Sequence, residues 1–310
     1  MNRDEFGANA ADGGGSFTEA WTQHRNYLLN IGYRLVGSFS EAEDLVQEAY
    51  TRLLRTDSEA IDDVRGWLVV VVTRLCLDHL RSARVRREST VGPWLPEPLV
   101  APGDTGADPA DIVTLDESVR MALLIVLERL TPAERAVFVL HDVFQFSFEE
   151  VAPIVERTPA ACRQLASRAR RRIDADTDRR TDVDPAELRR VAERFIAACA
   201  GGNVHALLEV LDPDVVGWAD LDGLRTAFLQ PIRGARNVAD GTMALFGAKS
   251  AARLVLAEIN GETGIVVALR GRPFAVLVLA VREERIAAIY AIVDQAKLRH
   301  IPAAYERGRM

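Results

Sequence analysis

Apolar positions recur at three- and four-residue steps up to about residue 175, and in short β-rich runs through the last quarter of the chain. The first pattern predicts helices. Tyr27, Leu28, Ile31, Leu35 and Val36 form one stripe. Ala42, Leu45, Val46, Ala49, Tyr50, Leu53 and Leu54 form a second over Glu41–Arg55, and Trp67, Leu68, Val71, Leu75, Leu77 and Leu80 a third over Val64–Ser82. Ser40, with Glu43 three residues on, has capping-box spacing and is read as the start of the second helix. Val119–Leu130 and Pro132–Leu140 read as two further apolar helices.

The clearest pattern runs from Ser147 to Ile173. Ser147 and Glu150 have capping-box spacing, and Val151, Ala152, Ile154 and Val155 give the helix an apolar side. Glu156-Arg157 is the turn. Thr158 suits an N-cap and Pro159 the first helical position. In the following helix Cys162, Leu165, Ala169 and Ile173 form the buried stripe, opposite Ala160, Arg163, Gln164, Ser167, Arg168 and Arg171. Arg163 to Arg172 holds five arginines and no acid. This is the layout of a helix-turn-helix whose second helix enters the major groove, where Arg forks onto guanine and Gln onto adenine. A solvated basic helix would carry the same face. Pro153 lies inside the first helix, removes a hydrogen bond and is expected to bend it.

Beyond a charged joint at Asp174–Asp184, Pro185–Ala200, Asn203–Leu211 and Gly234–Phe246 read as helices and Val215–Trp218 as a short strand. Four β-rich runs follow, Arg253–Glu258, Gly264–Leu269, Phe274–Val281 and Arg285–Val293. Hairpin signals at Asn260-Gly261, Gly271 and Glu283-Glu284 separate them. Helices followed by a strand meander imply an α+β domain with helices on one face of an antiparallel sheet.

Composition narrows the function. The 310 residues carry a net charge of -7, which argues against a nucleic-acid coat, but the charge is segregated. Basic charge is almost all Arg; Lys249 and Lys297 are the two lysines. Cys76, Cys162 and Cys199 have no metal or redox spacing and are expected to be reduced, buried and cytoplasmic. No signal peptide is evident, and the Trp67–Val72 apolar run is too short to span a membrane. Glu88–Glu117 holds five prolines and seven acids without a Lys or Arg and reads as a linker, with Trp94–Leu99 as an ordered spot. Roughly 27 residues of such a linker reach at most ~90 Å at ~3.3 Å per residue, enough for two DNA turns of about 70 Å. A solvated tether and an acidic mimic of nucleic acid fit its composition equally.

Three stretches carry a family resemblance. AEDLVQEAYTRLLR with RGWLVVVVTRLCLDHLRSARVRRE resembles region 2, and LERLTPAERAVFVLHDVFQFSFEEVA region 4, of extracytoplasmic-function (ECF) sigma factors. With WLPEPL and the α+β end, which is similar to SnoaL-like, NTF2-type cones, the chain resembles sigma factors of the SigJ type. The resemblance implies core RNA polymerase and promoter DNA as partners. It implies that Asp44, Gln47, Glu48 and Arg52 meet polymerase, that Arg74, Asp78, Arg81 and Arg84 meet the −10 element, and that Arg163, Gln164, Ser167, Arg168 and Arg171 meet the −35 element. Glu156 stands where the family usually has Gly. Two motifs of the extension survive in part, as Trp218-Ala219-Asp220-Leu221-Asp222-Gly223 and as Lys297-Leu298, which makes Asp220, Gly223, Lys297 and Leu298 the regulatory candidates.

The expected fold is thus multi-domain: a tail 1–15, an all-α module 16–87, a linker 88–117, an all-α helix-turn-helix module 118–175, an α+β SnoaL/NTF2-like cone 185–300 and a tail 301–310. The expected function is promoter recognition and transcription initiation with core polymerase, modulated by the cone, without catalysis, cofactor, metal or membrane. A small-molecule ligand in the cone is kept open, as is oligomeric state. Two other readings stay open: a ligand-sensing helix-turn-helix regulator that needs no polymerase, and a cyclase or isomerase fused to a DNA-binding module. The latter needs a general base in the cone, for which Asp220, Asp222 and His205 are the candidates.

Overall fold

The computed structural model describes residues 12–57, 61–87, 94–101, 120–177, 183–220, 230–302 and 305; side chains are described from 21 in the first helix, to 82 in the third and to 174 in the seventh. The chain divides into two compact units. The first takes in the described residues up to Ala83 together with Pro132–Ser167, and the second the described remainder.

In the first unit α1 (Asp12–Val36) and α2 (Phe39–Leu53) form an antiparallel pair, followed by α3 (Val64–Arg87). α1 begins inside the stretch read as a tail. Gly32 lets the first pair close: a Cβ there would lie 3.2 Å from Ala42 Cβ. Leu28, Ile31, Leu35, Val46, Leu53, Leu68 and Val72 are buried, and Tyr33 packs edge-on against Phe39. The start of α2 differs from the sequence reading. Ser38, not Ser40, is the N-cap and accepts the Glu41 N–H at 3.3 Å. Glu43, freed from capping, pairs with Arg25 at 2.9 Å. Leu54 was expected in the core but is 51% exposed, because α2 ends at Leu53 and turns its C-cap outward.

The same unit holds α5 (Pro132–Phe138), a π-helical turn (Val139–Val143), α6 (Phe148–Val155) and the first part of α7 (Pro159–Thr177). α5 therefore stops two residues short of the expected Leu140. These elements pack on α1. Arg135 is buried and donates to the Leu35 carbonyl at 2.7 Å, satisfying an acceptor that the end of α1 would leave open. Phe144 meets Tyr27 edge-on at 5.2 Å, and the Arg34 guanidinium lies 5.3 Å from its ring centre. α5, α6 and the first part of α7 thus group with α1 and α2, while α4 (Met121–Leu127) and the end of α7 group with the second unit.

The second unit holds residues 94–101, α4 (Met121–Leu127), the end of α7, α8 (Pro185–Ala200), α9 (Val204–Val210), β1 (Leu211–Asp220), β2 (Ile232–Arg233), α10 (Ala235–Phe246), β3 (Ala252–Ile259), β4 (Glu262–Leu269), β5 (Arg272–Arg282) and β6 (Arg285–Ile292). Asp184 and Asn203 cap α8 and α9. The strands form one sheet in the order β2-β1-β6-β5-β4-β3, antiparallel except for β1 with β6. α4 is shorter than expected, and β1 is ten residues long where a short strand at Val215–Trp218 was expected. α9 ends at Val210, one residue early, because Leu211 already pairs with Ile286.

The meander closes on three two-residue turns. Asn260-Gly261, Arg270-Gly271 and Glu283-Glu284 all have positive φ at both positions, between 52° and 79°. That conformation matches the twist of the flanking strands. Phe195, Leu207, Val215, Ala239, Leu277 and Ile286 bury the helices against the sheet. The expected C-terminal tail is partly anchored: Ile301 is buried and the Tyr305 hydroxyl donates to the Ala101 carbonyl at 3.2 Å.

Candidate nucleic-acid interface and linker clamp

The helix-turn-helix is built by its caps. Ser147 Oγ accepts the Glu150 N–H at 3.2 Å, and the Glu150 carboxylate accepts the Ser147 N–H at 2.7 Å. These bonds, first the one from the Ser147 hydroxyl, hold the Glu150 carboxyl below its ordinary pKa. Thr158 Oγ1 accepts the Ala161 N–H at 3.2 Å and starts α7. Between the helices Glu156 is left-handed, φ 56° and ψ 50°, the conformation that glycine adopts without cost. Pro153 does not end α6, which runs to Val155.

α7 splits as expected. Cys162, Ala166 and Ala169 are buried, with Leu165 and Ile173 partly so; Arg163, Gln164, Ser167, Arg168 and Arg171 are exposed along the opposite side. Arg163 is also held from α6: its guanidinium pairs with Glu149 at 2.8 Å and lies 5.5 Å from the Phe148 ring centre. Both charges are more than half exposed, so the pair is weak and open to exchange for phosphate or base.

On α2, Asp44, Gln47, Glu48 and Arg52 are all exposed on one side, and Arg52 pairs with Glu48 at 2.9 Å. The exposed Leu54 extends this side and was missed in the sequence because its spacing fits the core stripe. On α3, Arg74, Asp78 and Arg81 are exposed at four- and three-residue steps, with Arg81 on Asp78 at 3.1 Å. Arg74 also donates to the Pro153 carbonyl at 2.9 Å, a link that no local pattern announces. The Arg84 side chain lies outside the described residues.

The second unit contains a buried clamp. Asp220 and Lys297, 77 residues apart, form an ion pair in which both side chains are 8% exposed. Asp220 Oδ2 also accepts the Leu95 N–H at 3.0 Å, and Lys297 Nζ donates to the Leu95 carbonyl at 2.5 Å. The Lys297 ammonium sits 4.1 Å from the Trp94 ring centre. Further along, Leu99 gives its N–H to Asn260 Oδ1 at 2.9 Å and its carbonyl to the Asn260 N–H at 2.8 Å. Val100 then bridges Ile259. Leu95, Pro96, Glu97, Pro98, Leu99 and Val100 are buried. Residues 94–100 are therefore a docked segment rather than a solvated tether. Leu298 is buried beside the clamp, and Gly223 lies outside the described residues. Sequence reading had singled out Asp220 and Lys297 without seeing that they meet; Asn260, read only as a turn residue, was missed.

The groups that an enzyme reading needs do not converge. Asp220 is consumed by the clamp, His205 is exposed, and Asp222 lies outside the described residues. A cavity of about 510 Å³ in the α+β domain has no Asp, Glu, His, Lys or Arg among its described lining residues. The three thiols are buried and their pKa values are raised, chiefly by desolvation, that of Cys199 to about 12. Among the described residues no group of acids, histidines and cysteines could hold a metal ion, and no helix is long and apolar enough to cross a membrane.

Comparison with known proteins agrees with this geometry. Residues 20–86 match the model of Sigma-70 region 2, and residues 120–173 that of Sigma-70 region 4. The chain is 42% identical to the probable ECF RNA polymerase sigma factor SigI of Mycobacterium tuberculosis, over 90% of its own length and 93% of that protein's. It is 38% identical to the ECF RNA polymerase sigma factor SigJ of the same organism, over 92% and 94%. The crystal structure of M. tuberculosis SigJ superposes with a TM-score of 0.71 at 36% identity, covering 91% of this chain and 98% of that one.

Proposed function

Because this chain belongs to the ECF RNA polymerase sigma factors, we propose that α2 carries its polymerase surface, α3 its −10 contacts and α7 its −35 contacts, and that the C-terminal domain modulates all three. Sigma factors act with core RNA polymerase and promoter DNA in transcription initiation. The observation that carries the assignment of surfaces is the exposed side of α7. Its five residues project opposite a buried stripe, behind a capped helix and a tight turn. Arg168 and Arg171 are suited to base edges or phosphates. Arg163 joins them once its surface pair with Glu149 opens. The acidic-polar side of α2 suits a basic partner surface.

Modulation is supported by the clamp. The segment that joins the two promoter-reading modules is held by Asp220, Lys297 and Asn260 of the C-terminal domain. A second support is the docking of Arg135 on Leu35, which ties helices of those two modules to each other. We read this as the resting state, from which polymerase draws the modules apart.

The test is transcription in vitro by the full chain with core polymerase on a supercoiled promoter, with footprinting at both elements. Specific transcripts that disappear with Arg168→Ala and Arg171→Ala together are expected. Tight binding to duplex promoter DNA without polymerase, and no transcript with it, would replace this reading by an independent regulator.

A further inference from the structure

The C-terminal domain contains an open cavity of about 510 Å³ that the clamp does not use. That is within the range of pockets that bury a small molecule. Its walls are apolar: Phe195 and Phe246 from the helices, Ile232 from β2, and Phe274, Leu277 and Ile289 from the sheet. The polar side chains on the wall are those of Trp218, Gln230 and Thr242.

Thr242, on the wall, is 8% exposed and brings a hydroxyl to a largely apolar lining. One observation sets this space apart from ordinary packing. Gly241, also on the wall, sits inside α10, where glycine weakens a helix relative to alanine. Nothing in the packing demands it. Its φ is not in the left-handed range, and a Cβ there would meet only Ile232 Cδ1 at 3.6 Å, an ordinary contact. A side chain at 241 would instead occupy the cavity. The sequence thus keeps the space open at a cost to the helix.

We propose that this cavity binds a neutral, mostly apolar small molecule that carries a hydrogen-bond acceptor, held by the Thr242 hydroxyl and the Trp218 indole N–H. Neutrality follows from the walls: with no charge to meet it, an ionised ligand would lose its hydration uncompensated. The absence of an acid or base on the described wall makes the site one for binding rather than turnover. β1 gives the site a route to the clamp. Trp218 and Ala219 line the cavity, and the next residue, Asp220, carries the Leu95 N–H. The proposal goes beyond the sigma-factor reading and is measured independently of it.

The probe is prodan, a neutral naphthalene with a carbonyl acceptor and an emission that shifts to the blue in apolar surroundings. Titrated into the full chain, it is expected to bind saturably, one molecule per chain, with blue-shifted emission. Gly241→Leu fills the space and is expected to weaken binding by roughly tenfold or more while the melting temperature holds or rises. Thr242→Val is expected to weaken prodan by about threefold and to leave displacement by naphthalene, which has no acceptor, unchanged. Ala291→Phe fills the same space from β6 and serves if Gly241→Leu melts early. No saturable binding, or binding retained in either folded filling variant, would overturn the site. Loss of transcription without loss of prodan binding would instead count against the sigma-factor reading alone.

Discussion

Two ion pairs in this protein have the same chemistry and opposite settings. Glu48–Arg52 on α2 is about half exposed on each side, whereas Asp220–Lys297 is almost fully buried. The first exchanges easily with water, salt or a partner and stabilises the chain by little. The second has given up its hydration, and its remaining hydrogen bonds go to the Leu95 peptide group. The exposed pair leaves a surface that another molecule can read. The buried pair fixes one segment of the chain against another. In the proposed assignment, charge for recognition is spread over α2, α3 and α7, while charge for internal control is paired inside the α+β domain.

The sharpest way to break this contrast is Asp220→Ala. It strands a buried ammonium and leaves the Leu95 N–H unpaired, and is expected to destabilise the second unit by ~3–5 kcal/mol in denaturant unfolding. Asp220→Leu with Lys297→Met together should recover most of that loss, because no lone charge remains. If the single change costs as little as a surface pair, the clamp is not a fixed point of the fold. Next comes Arg135→Ala, which uncaps the Leu35 carbonyl in the first unit. A loss of about 1.5–3 kcal/mol is expected, read by thermal unfolding, with transcription unimpaired because the modules are freed.

On the exposed side, Arg168→Ala is expected to weaken −35 recognition by ~1–3 kcal/mol and leave the melting temperature unchanged. An unaltered footprint would remove Arg168 from the readers. Glu48→Ala should change stability by less than about 0.5 kcal/mol while lowering polymerase affinity in a binding titration. The smallest effect is a gain. Glu156→Gly relieves a left-handed glutamate in the helix-turn-helix and should stabilise the first unit by about 0.5–1 kcal/mol.

What the sequence announced, and what it hid, follows the range of the interactions involved. The capped helices α6 and α7 were legible because Ser147, Glu150, Thr158 and Pro159 act within one turn of themselves. The four-strand meander was legible because its turns are two residues long. β1 was shortened in the reading because Asp212-Pro213-Asp214 looks like loop; its pairing comes from β6, some 75 residues on. Ser40 was taken for Ser38 because both precede a glutamate by three, and packing of Phe39 decides between them. The site was half legible. The exposed sides of α2, α3 and α7 follow from helical period alone. The meetings of Asp220 with Lys297 and of Arg135 with Leu35 depend on how distant elements come together. The cavity depends on the curvature of a sheet that no single strand encodes.

One docked segment has a consequence for solubility. β3 is the last strand of the sheet, so its outer edge offers unpaired peptide groups. Residues 99–101 guard the turn end of that edge, with Val100 bridging Ile259 and Ala101 donating to the Glu258 carbonyl at 2.9 Å. If polymerase draws the linker away, as proposed above, that guard would be stripped from its own sheet. The bare edge can then recruit another strand, as exposed edges do in aggregating proteins. On that reading, a molecule released from polymerase before its linker re-docks would present a sticky edge, and quick re-docking would protect it.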